Sequence, residues 1–105
     1  MIIVLPSSMP IGIYDYTIKF QQHLKLDEAY RGFNNLRTNE IGIDPALSDN
    51  DKHRVFLHEV IHTLNEQYHC GLDEDNIDRL AFGLTDFMMR GLGLGLDWSE
   101  IEGAD

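Results

Sequence analysis

Hydrophobic and polar positions follow two different periods along this chain, and the change falls near residue 48. Before it, short runs alternate. Tyr14-Asp15-Tyr16-Thr17-Ile18-Lys19-Phe20 is rich in β-formers and sets Tyr16, Ile18 and Phe20 on one face, which predicts a strand. The continuation through His23-Leu24-Lys25-Leu26 predicts a second or bent strand, Asp27 to Tyr30 a helical turn, and Gly32-Phe33-Asn34-Asn35 a turn. Glu40-Ile41-Gly42-Ile43 alternates again. It is stopped by Asp44-Pro45, because the residue before a proline is driven out of helical space and proline cannot extend a ladder.

From Ser48 onward the period is helical. Ser48 with Asp51 resembles a capping box with Asp in place of Glu, and it predicts a helix running to about Tyr68. On a wheel of about 100° per residue, Phe56, Leu57, Val60, Ile61, Leu64 and Tyr68 form the stripe expected to face the core, with His58 and His62 on its flank. Gly71 is expected to end this helix in the left-handed conformation, with Cys70 as a small apolar filler beside it. Asp73 is then the N-cap of a second helix, Leu72 contacting Ile77 as a staple, and Ile77, Leu80, Ala81, Leu84, Phe87 and Met88 its buried stripe. The Gly-Leu alternation after residue 90 and the acidic end read as a loosely docked tail. The expected organisation is one domain over residues 1–90 and a tail over 91–105, in the α+β class.

Composition narrows the setting. A chain of 105 residues with 43 % hydrophobic content supports one core and leaves too little for a second. Eighteen acidic against eight basic side chains give a formal charge of −10, which repels phosphate backbones, so no nucleic-acid partner is expected. Met1-Ile2-Ile3-Val4-Leu5 is apolar but lacks a basic flank and meets Pro6 at once, so neither a signal peptide nor a membrane span is expected. The lone Cys70 excludes an internal disulfide and fits a reducing compartment; the expected location is the cytoplasm.

The strongest chemical signal is His58-Glu59-Val60-Ile61-His62, the pattern H-E-x-x-H within the first helix. Two histidines four apart project from one face and can bind a single Zn²⁺, while the intervening Glu59 reaches a water activated there and serves as general base. The chemistry named is zinc-assisted hydrolysis, most often of a peptide bond. A catalytic zinc normally has three protein ligands, so one is still needed. His69 lies near the same wheel angle as the pair but about 10 Å along the axis from His62, which disfavours it. On the second helix Glu74 falls about 60° from Ile77, on the border facing the first helix, whereas Asp75 falls about 160° away. Glu74 is the expected third ligand. Asp78, four residues on, is placed to accept a hydrogen bond from the outer nitrogen of a ligating histidine. The strand Ile41-Gly42-Ile43 is expected to offer an edge on which a substrate peptide adds as a further strand. His23 and His53 are expected at the surface or its boundary.

Leu57-His58-Glu59-Val60-Ile61-His62, followed by Glu74-Asp75-Asn76-Ile77-Asp78-Arg79-Leu80-Ala81, resembles the small zincin metallopeptidases of the ImmA/IrrE type and related phage-carried proteins. Ile41-Gly42-Ile43-Asp44 and the helix start at Leu47-Ser48 are similar too, so the likeness spans about residues 16 to 90. The group's second motif reads roughly E-x-x-A-[ND]-x-[FL]-A with its Glu as third zinc ligand, which implies Glu74; Ile77 stands where a small residue is usual. The resemblance implies a minimal gluzincin fold, a small sheet over two active-site helices, and a zinc-dependent peptidase acting on a protein or peptide. The alternative reading is a metal-stabilised, non-catalytic interaction module of the same fold.

Overall fold

The alternating first half becomes sheet and the helical second half becomes two helices, so the chain is α+β. The computed structural model describes residues 1–22 and 32–103; the expectations for His23 to Leu26 and for Asp27 to Tyr30 lie outside the described residues. In chain order the elements are β1 (Ile2–Val4), β2 (Ser8–Ile11), β3 (Tyr14–Phe20), β4 (Gly32–Asn35), β5 (Glu40–Ile43), α1 (Asp49–Tyr68), α2 (Glu74–Asp86) and β6 (Gly95–Asp97), with a wide turn of π type at Phe87–Gly91 between the last two. The main sheet runs in the order β2-β3-β5-β4. β3 and β5 are parallel, and the outer pairs are antiparallel.

β2 and β3 form a hairpin in which Ile11 faces Tyr14 across Gly12 and Ile13. Gly12 has φ +67°, which a side chain would resist, and a Cβ there would also collide with the Gln67 amide. That amide clamps the turn from α1: its Oε1 accepts from Ile13 N–H and its Nε2 donates to the Ile11 carbonyl, each at 2.9 Å. Gly32 to Asn35 is a strand rather than the expected turn. Its turn chemistry acts one step later, where Asn35 Oδ1 accepts from the N–H groups of Arg37 at 3.0 Å and Thr38 at 3.3 Å.

Ser48 caps α1 as expected, its Oγ accepting from Asp51 N–H at 3.2 Å. The helix stops at Tyr68, and His69 rather than Gly71 takes the left-handed position at its end, with φ 51°. Asn65 holds the turn that follows: its carbonyl accepts from Cys70 N–H and its Oδ1 from Leu72 N–H at 2.9 Å, with Gly71 between them also at positive φ. Cys70 is left exposed instead of filling a gap.

The buried face of α1 is rotated from the apolar stripe, being made of His53, Val55, Phe56, Glu59 and Thr63, while Tyr68 is 57 % exposed. Phe56 of the expected stripe lies in the core, and Val60 and Leu64 pack against it half-buried, while the helix also contacts β4, β5 and α2. His53 is a core residue, not a boundary one, and neither ring nitrogen has a hydrogen-bond partner among the described residues. α2 rests chiefly on α1 through Ile77, Ala81 and Thr85, and Leu80, Leu84 and Phe87 of the expected stripe face outward.

The expected loose tail is instead docked. β6 pairs in parallel with β1, and Trp98 and Ile101 enter the core. The Trp98 ring lies 5.8 Å from Phe56, edge to face, and 5.9 Å from Phe20. Phe20 N–H donates to the Glu102 carbonyl at 2.7 Å, so the segment after β6 closes on β3. Gly-Leu alternation satisfies a short strand, and two large apolar side chains beyond it gain about 1.5–3 kcal/mol each on burial. No helix among the described residues is long and apolar enough to cross a membrane.

Candidate metal centre

His58 and His62 sit one turn apart on α1 with ring centroids 4.9 Å from each other. Glu74 reaches them because Asp73 starts α2 at that point, its Oδ1 accepting from Asn76 N–H at 2.8 Å. One Glu74 oxygen lies 2.8 Å from His58 Nε2 and the other 2.8 Å from His62 Nε2. One ligand atom from each of the three residues falls within 4.8 Å of the others, a group that could hold a metal ion. Two imidazoles and a carboxylate form a donor set that suits Zn²⁺, with a fourth position left for water or substrate. The residues present therefore fit the metal that the H-E-x-x-H pattern implies.

Asp78 takes the outer side of His58, with Oδ1 3.2 Å from Nδ1. His58 thus meets a carboxylate at each ring nitrogen. Both contacts are hydrogen bonds only when both nitrogens carry protons; a neutral ring that donates from Nδ1 to Asp78 leaves the Nε2 lone pair for a metal. Asp78 is also the oxygen that Arg54 approaches, at 3.9 Å.

Glu59, next to His58 on α1, is buried, 8 % exposed. Burial pushes its carboxyl up to about 7, the nearby His58 opposes the shift, and the Glu74 carboxylate adds to it. β4 comes close to α1 on either side of Glu59. A Cβ on Gly32 would lie 2.5 Å from Val55 Cγ1, and one end of the strand can approach only because that position is glycine. At the other end Asn34 Nδ2 donates to Thr63 Oγ1 at 3.2 Å, and Thr63 Oγ1 donates to the Glu59 carbonyl at 2.9 Å. Val55, Glu59 and Thr63 are spaced by four residues, so Glu59 lies between the two contacts on the helix stripe that faces β4.

Ile41, Gly42 and Ile43 do not form a substrate edge. β5 is paired on both sides, by β3 and by β4, so its hydrogen-bonding groups are used. Ile41 and Ile43 are 0 % exposed, and the Phe33 ring covers Gly42 on the other face. Among the described residues the sheet has β2 and β4 as its edges, and β4 is the one that lies more extensively against α1. His69 lies exposed beyond the end of α1, and Asp75, exposed on α2, is not part of the His58, His62 and Glu74 group.

Sequence reasoning missed Arg54, Asn34 and Thr63. Arg54 carried a usable signal, since it precedes His58 by four residues and so shares its face. Asn34 and Thr63 carried none, because their contact depends on how a strand docks on a helix. Comparison with models of known protein families, with curated proteins and with solved structures finds no match for this chain.

Proposed function

We propose that this protein is a zinc-dependent peptidase of the small zincin kind, with His58, His62 and Glu74 as metal ligands and Glu59 as general base. The observation that supports it is the convergence of three ligand atoms from two helices within 4.8 Å, beside a buried glutamate on the intervening residue. When bound, zinc supplies Lewis acidity, which polarises a scissile carbonyl and acidifies a water.

The protein's own groups do the remaining work. Glu59 takes the proton of the attacking water and passes it to the leaving amine; its enclosed position keeps bulk water from competing for that proton. Asp78 holds the His58 ring in one orientation and one tautomer. Glu74, opposite the histidines, supplies a negative charge that balances part of the metal's. β4, which has no outer partner among the described residues, runs along the helix stripe that carries Glu59, and an extended peptide adding there as a strand would bring its backbone beside that residue.

The alternative, a metal-stabilised interaction module, draws support from the outward Leu80 and Leu84 of α2 and Phe87 just after it, which are 45, 42 and 57 % exposed. One experiment separates these readings. Purified wild type should carry about one zinc and cleave an unfolded protein substrate, and His58→Ala should do neither. A wild type without metal overturns both readings; one that holds zinc but cleaves nothing leaves the module.

A further inference from the structure

We propose that Arg54 is a positioning residue for the metal centre, acting through Asp78 to fix the ring of His58; this rests on the zinc reading above. Arg54 lies one turn before His58 on α1, and its side chain is only 15 % exposed. The guanidinium is seated from three directions. Asp51 Oδ1 lies 3.4 Å from it, Asp78 Oδ1 lies 3.9 Å from it, and its carbon stands 4.5 Å above the Phe82 ring.

The oxygen that Arg54 approaches on Asp78 is the same one that lies 3.2 Å from His58 Nδ1. Without that cation, Asp78 would stand as a 46 % exposed carboxylate close to those of Asp51 and Glu74, free to turn towards water. Repulsion among the carboxylates would favour that turn. Arg54 offsets the repulsion, and Phe82, one turn after Asp78 on α2, supports the flat guanidinium so that its charge stays put. At 3.9 Å the Arg54 to Asp78 contact is too long for a hydrogen bond, so the effect is one of charge and placement. A metal ligand whose outer nitrogen has a fixed acceptor loses less freedom on binding, and loss of such outer partners typically weakens metal affinity about 10–100-fold.

The test uses Zn²⁺ itself in competition with a chromophoric chelator, on the full chain, alongside the thermal midpoint of each metal-free protein. Arg54→Met should weaken zinc binding about 10-fold, and Arg54→Lys, which keeps the charge without the fork, should recover part of it. The decisive comparison is with Asp78→Asn. If Arg54 acts through Asp78, adding Arg54→Met to Asp78→Asn should cost little more, whereas two independent structural effects would multiply. If Arg54→Met does not fold, Phe82→Leu loosens the same seat and should weaken zinc binding a few-fold. Unchanged affinity in the folded variant, or full multiplication in the double variant, overturns the role of Arg54 while leaving the zinc reading intact. A wild type that takes no zinc overturns both.

Discussion

His62 Nε2 and Glu74 Oε2 stand 2.8 Å apart although they belong to different helices, and His58 completes the group from one turn below His62. The short link between α1 and α2, turned by Asn65 and started again by Asp73, is what delivers the carboxylate to the histidines. Glu74→Ala should therefore reduce zinc affinity by more than the roughly 10–100-fold typical of losing an outer partner, and Asp75→Ala should leave it near wild type. Titration with a competing chelator measures both. Equal losses for the two variants would remove Glu74 from the ligand set.

Glu59→Gln preserves size and one hydrogen-bonding oxygen but cannot accept a proton from water. Zinc content should stay near one per chain while cleavage of an unfolded protein substrate falls at least about 100-fold, the lower end of what a general base contributes. Retained turnover would show that the proton goes elsewhere.

His53 should make the protein acid-sensitive. Burial holds its pKa below the ordinary 6.5, so as pH falls the unfolded chain takes up the proton first. The stability it permits is complete above pH 6.5 and drains away as pH falls through the lower folded-state value. His53→Leu, close in volume and without nitrogens to bury, should flatten the urea midpoint between pH 7 and pH 5. An unchanged slope in that range would mean that other groups set the acid response.

The end of the chain should matter to the whole fold. Trp98 packs against both Phe20 of the sheet and Phe56 of α1, so Trp98→Ala should cost about 3–5 kcal/mol in urea unfolding. A loss under about 1 kcal/mol would mean that the segment docks without supporting the core.

The β2–β3 hairpin is tied to α1 through one side chain. Gln67→Ala removes both of its hydrogen bonds to the turn and should destabilise by about 1–3 kcal/mol, with amide exchange speeding up first at Ile13. Exchange unchanged at Ile13 would contradict the clamp.

Much was legible from local pattern alone. β3, β5, the Ser48 cap, the extent of α1 and the Asp73 start of α2 all follow from short-range rules: alternation, capping chemistry and the stop at Asp44-Pro45. The proximity of Glu74 and Asp78 to His58 was legible too, because helical spacing places them on the border that two joined helices share. What only the tertiary structure decided are relations between elements distant in sequence. β5 became central, not an edge, because β4 paired with its far side, and pairing partners leave no mark in the strand they flank. The buried face of α1 came to include His53, Glu59 and Thr63 beside Phe56 of the apolar stripe because Gly32 lets β4 approach closely. Trp98 and Ile101 joined the core because the sheet and α1 left apolar surface to cover. Local rules act through a few bonds along the chain; burial is a shared resource, and its distribution is settled only when all the surfaces meet.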